Sequence, residues 1–436
     1  MFRLTASLVL LLAFAPAQEL WVDAGTGSDT NPGSASLPLR SITAALAVAV
    51  PGTTIFVRAG TYSVTATGEV FPLQFGNGRA HDGVTLLGLG SVVVDFANGR
   101  GNGMRVGTMA NGARISNLTF ANMDKTDWWT AAISAGTYNG SGAATFFELD
   151  RCRFVDVNRG IILWQGVPIT GWAIHDNLFV DLGNDGIDEF DPGSANEITN
   201  NTFVNTPQLG VLADGNATRI VNNVLVGCRV GIASSGNAGA AAARITSNDF
   251  FGNTLDVQGA AFPGGVPPGN LTVDPRFVNP PTRDFRLQAT SALIDAGDPR
   301  VFLRADLDDA PRAIDGNQDG TLPPDIGAYE FGFVNVTTNV VGGVVLTIDV
   351  TSTAPNLTTA LLLVAFDEGL INLPGLSPIL LDPQTLIPFA FTGAMPWQIG
   401  LGIPAMPAGS RLVVQGFGFD PVNLRLIGGK RARAQF

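Results

Sequence analysis

Hydrophobic and polar positions follow a fixed phrase through the middle of this chain: an aliphatic residue, two variable positions, Asn, one variable position, then Phe or Leu. Copies run from Ile174 to Phe179, Ile198 to Phe203, Ile220 to Leu225 and Ile245 to Phe250, with Leu149 to Phe154 as a fifth in which Cys152 replaces Asn. The conserved-position residues Asn177, Asn201, Asn223 and Asn248 are 24, 22 and 25 residues apart, and Cys152 lies 25 before the first. Periods in this range mark stacked repeats. Apolar side chains within a phrase fall mostly at alternate positions, the period of a strand. The pattern therefore predicts one short strand plus turns per repeat, with each strand paired in parallel to its equivalent in the next repeat.

Such a repeat cannot bury its apolar side chains alone, so the coils must stack. Stacking at roughly 4.8 Å aligns Leu149, Ile174, Ile198, Ile220 and Ile245 in one interior column and Phe154, Phe179, Phe203, Leu225 and Phe250 in another. The Asn column is expected to turn inward at a bend, where its amides bond backbone groups of adjacent coils. Gly160, Gly186, Gly210 and Gly231 each precede an apolar residue and are expected to provide positive-φ turns. Less regular copies extend upstream through Ile115 to Phe120, Val84 to Phe96 and Ile55 to Tyr62. The stretch between Phe120 and Leu149 exceeds the period and reads as a loop thrown out from the stack, carrying Trp128, Trp129 and Tyr138.

Hydrophobic residues make up 45% of the chain and charged residues 14%, enough for a large core and contrary to disorder. Residues 1–17 read as a signal peptide: Arg3, an apolar run from Leu8 to Ala15, and Ala15-Pro16-Ala17 as the cleavage site. The expectation is a secreted or cell-surface protein. No later run of the sequence is long and apolar enough for a membrane helix. The formal charge of -12 becomes -13 without Arg3, which disfavours nucleic acid, since phosphate backbones need a dense basic patch. Cys152 and Cys228 fall three coils apart at different places in the phrase, roughly 14 Å by strand spacing, so two free thiols are expected.

Near the mature start, Trp21-Val22-Asp23, Gly27-Ser28-Asp29, Asn31-Pro32-Gly33, Pro38-Leu39-Arg40-Ser41-Ile42 and Pro51-Gly52-Thr53-Thr54-Ile55 resemble the opening of bacterial right-handed β-helix proteins of the pectin-lyase-like superfamily. The resemblance implies a short helix over the first coil; Ser41 suits its N-cap, and Ile42, Leu46 and Ala49 its covering face. Further on, Asp274-Pro275-Arg276-Phe277, Ser291-Ala292-Leu293-Ile294-Asp295-Ala296-Gly297, Pro311-Arg312 and Asp325-Ile326-Gly327-Ala328-Tyr329-Glu330 resemble the choice-of-anchor Q tail of secreted bacterial β-helix proteins, which implies a segment closing the helix. Asp308-Asp309 stands where that tail usually has Asp-Gly. The expected architecture is an all-β right-handed parallel β-helix over residues 18–332 with a capping helix and closing tail, followed by a small β-sandwich over 333–436 whose Pro404 to Gly409 segment weakly resembles C-terminal domains of exported planctomycete proteins.

Candidate chemistry concentrates in the acidic stretch after Asp181. Aligned on the glycines, Trp164, Phe190 and Asp214 occupy equivalent positions on three coils, an aromatic and acidic strip suited to sugar faces and hydroxyls, with Trp128 and Trp129 overhanging it. Asn184-Asp185-Gly186-Ile187-Asp188 resembles the first acidic motif of polygalacturonases, but their remaining motifs are missing, and the only histidines are His81 and His175, the latter aligned to Asp150 and Thr199 on the outer surface. Among enzymes, the sequence fits better a calcium-dependent polyuronate lyase in which Asp185, Asp188, Glu189 and Asp214 hold calcium and Arg159, Lys125 or Arg229 serves as base. A second calcium candidate is Asp315, Asn317 and Asp319, which match the first half of an EF-hand-like loop. The competing reading is a non-enzymatic adhesion or structural module. Both readings share extracellular polysaccharide as partner and a monomeric chain.

Overall fold

The computed structural model describes residues 18–332, apart from 128, 137–141, 167–168, 235–243, 302–304, 313, 318 and 320, and beyond 333 the backbone of seven strands. The signal-like segment 1–17, Trp128, Tyr138 and the Pro404 to Gly409 segment lie outside the described residues.

Residues 19–258 form a right-handed parallel β-helix. Each regular coil carries three short strands, not one. In one coil these are Thr170–His175, Leu178–Val180 and Ile187–Glu189. The first two kinds of strand line up in a 15-stranded sheet bridged by the long strand Thr85–Asp95, and the third kind forms an eight-stranded sheet. The repeated phrase thus spans two strands, with Ile174 on one, Phe179 on the next and Asn177 at the corner between them. The corner is made by a left-handed residue just before each Asn or Cys: Arg151, Asp176, Asn200, Asn222 and Ser247 all have positive φ.

The Asn ladder behaves as the sequence predicts. Asn201 Oδ1 accepts from the Asn177 backbone N–H and Nδ2, both at 3.0 Å, while Asn201 Nδ2 donates to Ile174 O at 2.9 Å. The same bonds repeat through Asn223 and Asn248 and continue to Asn270, one rung further than the phrase revealed. Inside, Phe154, Phe179 and Phe203 stack with centroids 4.6 Å apart and nearly parallel planes. The glycine column has a different cause from the one expected. Gly160, Gly186, Gly210 and Gly231 do not have positive φ; a Cβ at Gly186 would lie 2.6 Å from the Phe203 ring, and one at Gly160 would lie 2.5 Å from Phe179. Glycine is needed there because a backbone carbonyl oxygen of the following coil, 2.4 Å from the Cβ position at Gly186, and the Phe or, at Gly210, Leu225 side chain of that coil occupy the space.

The helix Ile42–Val48 covers the first coil with Ile42, Ala45 and Leu46, capped by Ser41 Oγ on the Ala44 N–H. Glu69 adds a second cap, taking the Ile42 and Thr43 N–H groups at 2.8 and 2.9 Å. The expected loop between Phe120 and Leu149 in fact contributes the strand Ile133–Ala135 to the eight-stranded sheet. At the far end, Ala261 and Phe262 join the core.

The tail lies along the flank and not across the end. Phe277, Phe285, Leu287, Leu293, Leu307, Ile326 and Tyr329 pack on Leu178, Val180, Val204 and Val224, the outward residues of successive coils. His175, expected on the surface, is consequently buried. Arg312, fully buried, bonds Asp176, Gly327 O and Glu330. Asp309 adopts φ +69° and pairs with Arg151. Cys152 and Cys228 are both free thiols and buried. Beyond 333 the seven strands pair mostly antiparallel, in the order 387–392, 359–365, 411–420, 425–435, 334–341, 345–352, 397–402.

Candidate functional site

The eight-stranded sheet sets the directions of the site residues. In Ile187–Glu189, Ile187 pairs with Ile161 and Val211 in the interior, so Asp188 points off the outer face and Glu189 points inward again. Pairing continues one residue past the strands: Phe190 N–H bonds Leu163 O and Asp214 N–H bonds Glu189 O, which brings Trp164, Phe190 and Asp214 into one column. Trp164 and Phe190 stack with centroids 6.0 Å apart and planes 20° from parallel. Trp129 adds a third ring, 5.6 Å from Trp164, and is 51% exposed. The Trp164 indole is fixed by a 2.9 Å hydrogen bond to Ser134 Oγ on the preceding coil. Beside this strip, Asp191 accepts from the Gly166 and Gly193 N–H groups.

A polar cluster is buried next to the rings. Arg159 Nε lies 2.9 Å from Asp185 Oδ2 and 2.9 Å from Asp188 Oδ2, and the guanidinium sits 5.5 Å from the Trp129 ring centre. Asn184, with its amide oriented to satisfy both neighbours, donates to Asp185 Oδ2 and accepts from Arg159 Nη2. Asp185 Oδ1 takes the Leu209 N–H at 2.8 Å. Burial, reinforced by the adjacent Asp185 charge, holds the Asp188 carboxyl well above the usual carboxylate range, against the pull of Arg159. One cation thus serves two carboxyl groups.

The expected calcium set does not assemble. Glu189 faces the interior, where it accepts from Asn196 Nδ2 and Thr218 Oγ1 at 2.7 Å and from the Gly215 N–H at 3.1 Å. Asp214 sits at the end of the ring column, and Arg159 fills the space between Asp185 and Asp188. Strand alternation is the physical reason: adjacent residues of one strand cannot face one ion. Among the described residues no group of three carboxylate, His or Cys side chains converges for a metal. Two carboxyl groups on one guanidinium nitrogen are also too close to flank a sugar ring from two sides.

The three candidate bases are dispersed. Arg159 is buried against its carboxylates; Lys125 packs against Gly183 with its ammonium turned to Asp156 and Asp181 O; Arg229, exposed, bonds Gln208 Oε1 three coils on from Arg159. In the tail, Asp315 and Asn317 both accept from the Asp319 N–H, and Asp295 accepts from the Gly316 and Asn317 N–H groups, the geometry of an Asx turn. Sequence reasoning missed Ser134 and Arg105, which share the outer face with Asp188, because their strands lie in stretches without the Asn phrase.

Among the described residues no helix is long and apolar enough to cross a membrane. No curated protein matches the chain. Among solved structures, a GH136 lacto-N-biosidase from Eubacterium ramulus is 10% identical over 56% of this chain and 53% of that one, with a TM-score of 0.39. A rhamnogalacturonan lyase is 14% identical over 58% of this chain and 60% of that one, with a TM-score of 0.31. This chain therefore spans little more than half the length of either. Residues 25–266, the coils that carry the ring strip and the buried acid pair, match the family described as a protein of unknown function, DUF1565, and the chain belongs to that family.

Proposed function

We propose that the protein binds extracellular polysaccharide on the Trp129–Trp164–Phe190 strip. The observation that carries this reading is a row of three aromatic rings, with centroids 5.6 and 6.0 Å apart and the outermost half-exposed. The exposed Trp129 ring suits the apolar face of a pyranose, the Trp164 and Phe190 rings stacked on each other extend the apolar strip beside it, and the flanking carboxylates of Asp191 and Asp214 suit hydroxyls. Export under the N-terminal apolar run would place the strip where such polymers occur. Binding is favoured over calcium-dependent elimination because Glu189 faces away from Asp185 and Asp188, and those two carboxyl groups are already bonded to the nearest arginine, Arg159.

Affinity electrophoresis of the mature chain through gels containing polysaccharides tests this. Trp164→Ala should weaken retention about tenfold, the scale of one lost stacking contact of about 1.4 kcal/mol. Unchanged migration of this variant in every retaining gel would sink the reading. Absorbance of unsaturated sugar in the same mixtures, with and without calcium, separates binding from elimination.

A further inference from the structure

Arg105 is the central residue of the strand Met104–Val106, between two side chains buried in the helix interior. Strand alternation sends it off the outer face of the eight-stranded sheet, where it is exposed. Its register partner on the next coil is Ser134, the residue that holds the Trp164 indole. One strand spacing, roughly 4.8 Å, therefore separates the backbone of an exposed arginine from the anchor of the ring strip. The other cations nearby are committed: Arg159 to Asp185 and Asp188, Lys125 to Asp156, Arg100 to Asp124. No ion pair among the described residues involves Arg105. At the opposite end of the strip stand Asp191 and Asp214. The outer face thus runs from a cation, through aromatic rings, to carboxylates.

Building on the polysaccharide reading of this strip, we propose that Arg105 selects the ligand class: a polymer in which acidic sugars are separated by neutral ones. The forked guanidinium takes a sugar carboxylate through paired hydrogen bonds, and sugars further along the polymer reach Trp164 and Phe190, two and three coils on. A contiguous polyuronate would bring further carboxylates against Asp191 and Asp214, where like charges repel. A wholly neutral polymer leaves Arg105 without an anion.

The test compares retention of the full chain by hyaluronan, unsulfated chondroitin and an alternating galacturonate–rhamnose polymer with retention by polygalacturonate and by neutral xylan. The mixed polymers should retain it most strongly, and Arg105→Gln should reduce that retention tenfold or more while leaving neutral polymers unaffected. Asp191→Asn combined with Asp214→Asn should increase retention by polygalacturonate. Equal retention by polygalacturonate in the unmodified chain would overturn the proposal. So would Arg105→Gln without effect where Trp164→Ala abolishes retention, a result that leaves the ring platform standing. No retention by any polymer would overturn both.

Discussion

Arg312 and Asp176, 136 residues apart, form an ion pair sealed from solvent, in which Arg312 Nε lies 2.9 Å from Asp176 Oδ1. Glu330 shares the same guanidinium at 3.2 Å. This contact joins the tail to the coils, and it takes part in a larger set of buried charges that reaches His175 and Glu148.

Arg312→Met should destabilise the protein by about 3–5 kcal/mol, because it strands two buried carboxyl groups rather than because the pair itself is strongly stabilising. Chemical denaturation checks the loss. The triple variant Arg312→Met, Asp176→Asn, Glu330→Gln should recover part of it, since the uncompensated charges are then gone.

Stability should fall as pH rises from neutrality. His175 is enclosed, and burial alone would push it down, yet hydrogen bonds to Asp176 and Glu148 and the nearby Asp150 charge lift it to about 9. A histidine raised in the folded state contributes fully below its unfolded value of about 6.5 and loses that contribution as pH climbs through 9. Desolvation also lifts Asp249 to about 6 and, against Arg312, Glu330 to about 7, so both favour the fold at low pH and lose that effect between about 4 and 7. Melting temperatures should decline from pH 5 to 9.5, and His175→Gln should flatten the upper part of the curve; a wild-type curve flat from pH 6.5 to 9.5 would contradict this.

Asn201→Leu removes the acceptor of the Asn177 N–H and the donor to Ile174 O, both in the interior. With two buried backbone groups left unpaired, a loss of at least about 2 kcal/mol is expected. The same change at Asn270, which is partly exposed, should cost less, and equal losses at both sites would show that burial of the ladder does not set its value.

Gly186→Ala should cost about 1–3 kcal/mol through overpacking, because the new methyl group would sit 2.4 Å from Gly210 O and 2.6 Å from the Phe203 ring. Phe203→Leu in the same background should recover little of the loss, since the carbonyl stays in place and Leu225 already approaches the Gly210 position to 2.6 Å. Full recovery would mean that the ring, and not the backbone of the next coil, forbids the methyl group.

Much of the coil stack was legible because its determinants are periodic. The Asn, aliphatic and aromatic columns recur at fixed spacing, and a side chain that must match its equivalent one coil away leaves a trace in the sequence. Other features left none. The third strand of each coil is only three or four residues long in most coils, too short for alternation to register, so the sequence shows only a loop around Ile133–Ala135 and nothing that marks Arg105. Directions within Asp188-Glu189 depend on where that strand begins, which is why carboxylates that cluster in sequence separate in space. His175 was aligned to the right neighbours, but its burial comes from Arg312 and its segment, over a hundred residues away. The ring column Trp164–Phe190–Asp214 was found because the preceding glycines mark the register independently of strand length.

The tail has one more consequence. Solenoids usually accept the gain or loss of a unit, because each unit touches only its neighbours. Here the same segment binds Arg151 and Arg153 through Asp309 and Asp308, Asp176 through Arg312, Thr202 through the Ala328 N–H, Asn222 through Asp298 and Gly327, and Asp249 through the Val273 N–H. It works as a splint with fixings on five successive coils, so it counts those coils: a deletion that removed one of them would misalign every fixing beyond it at once, and this part of the β-helix has a length that cannot drift.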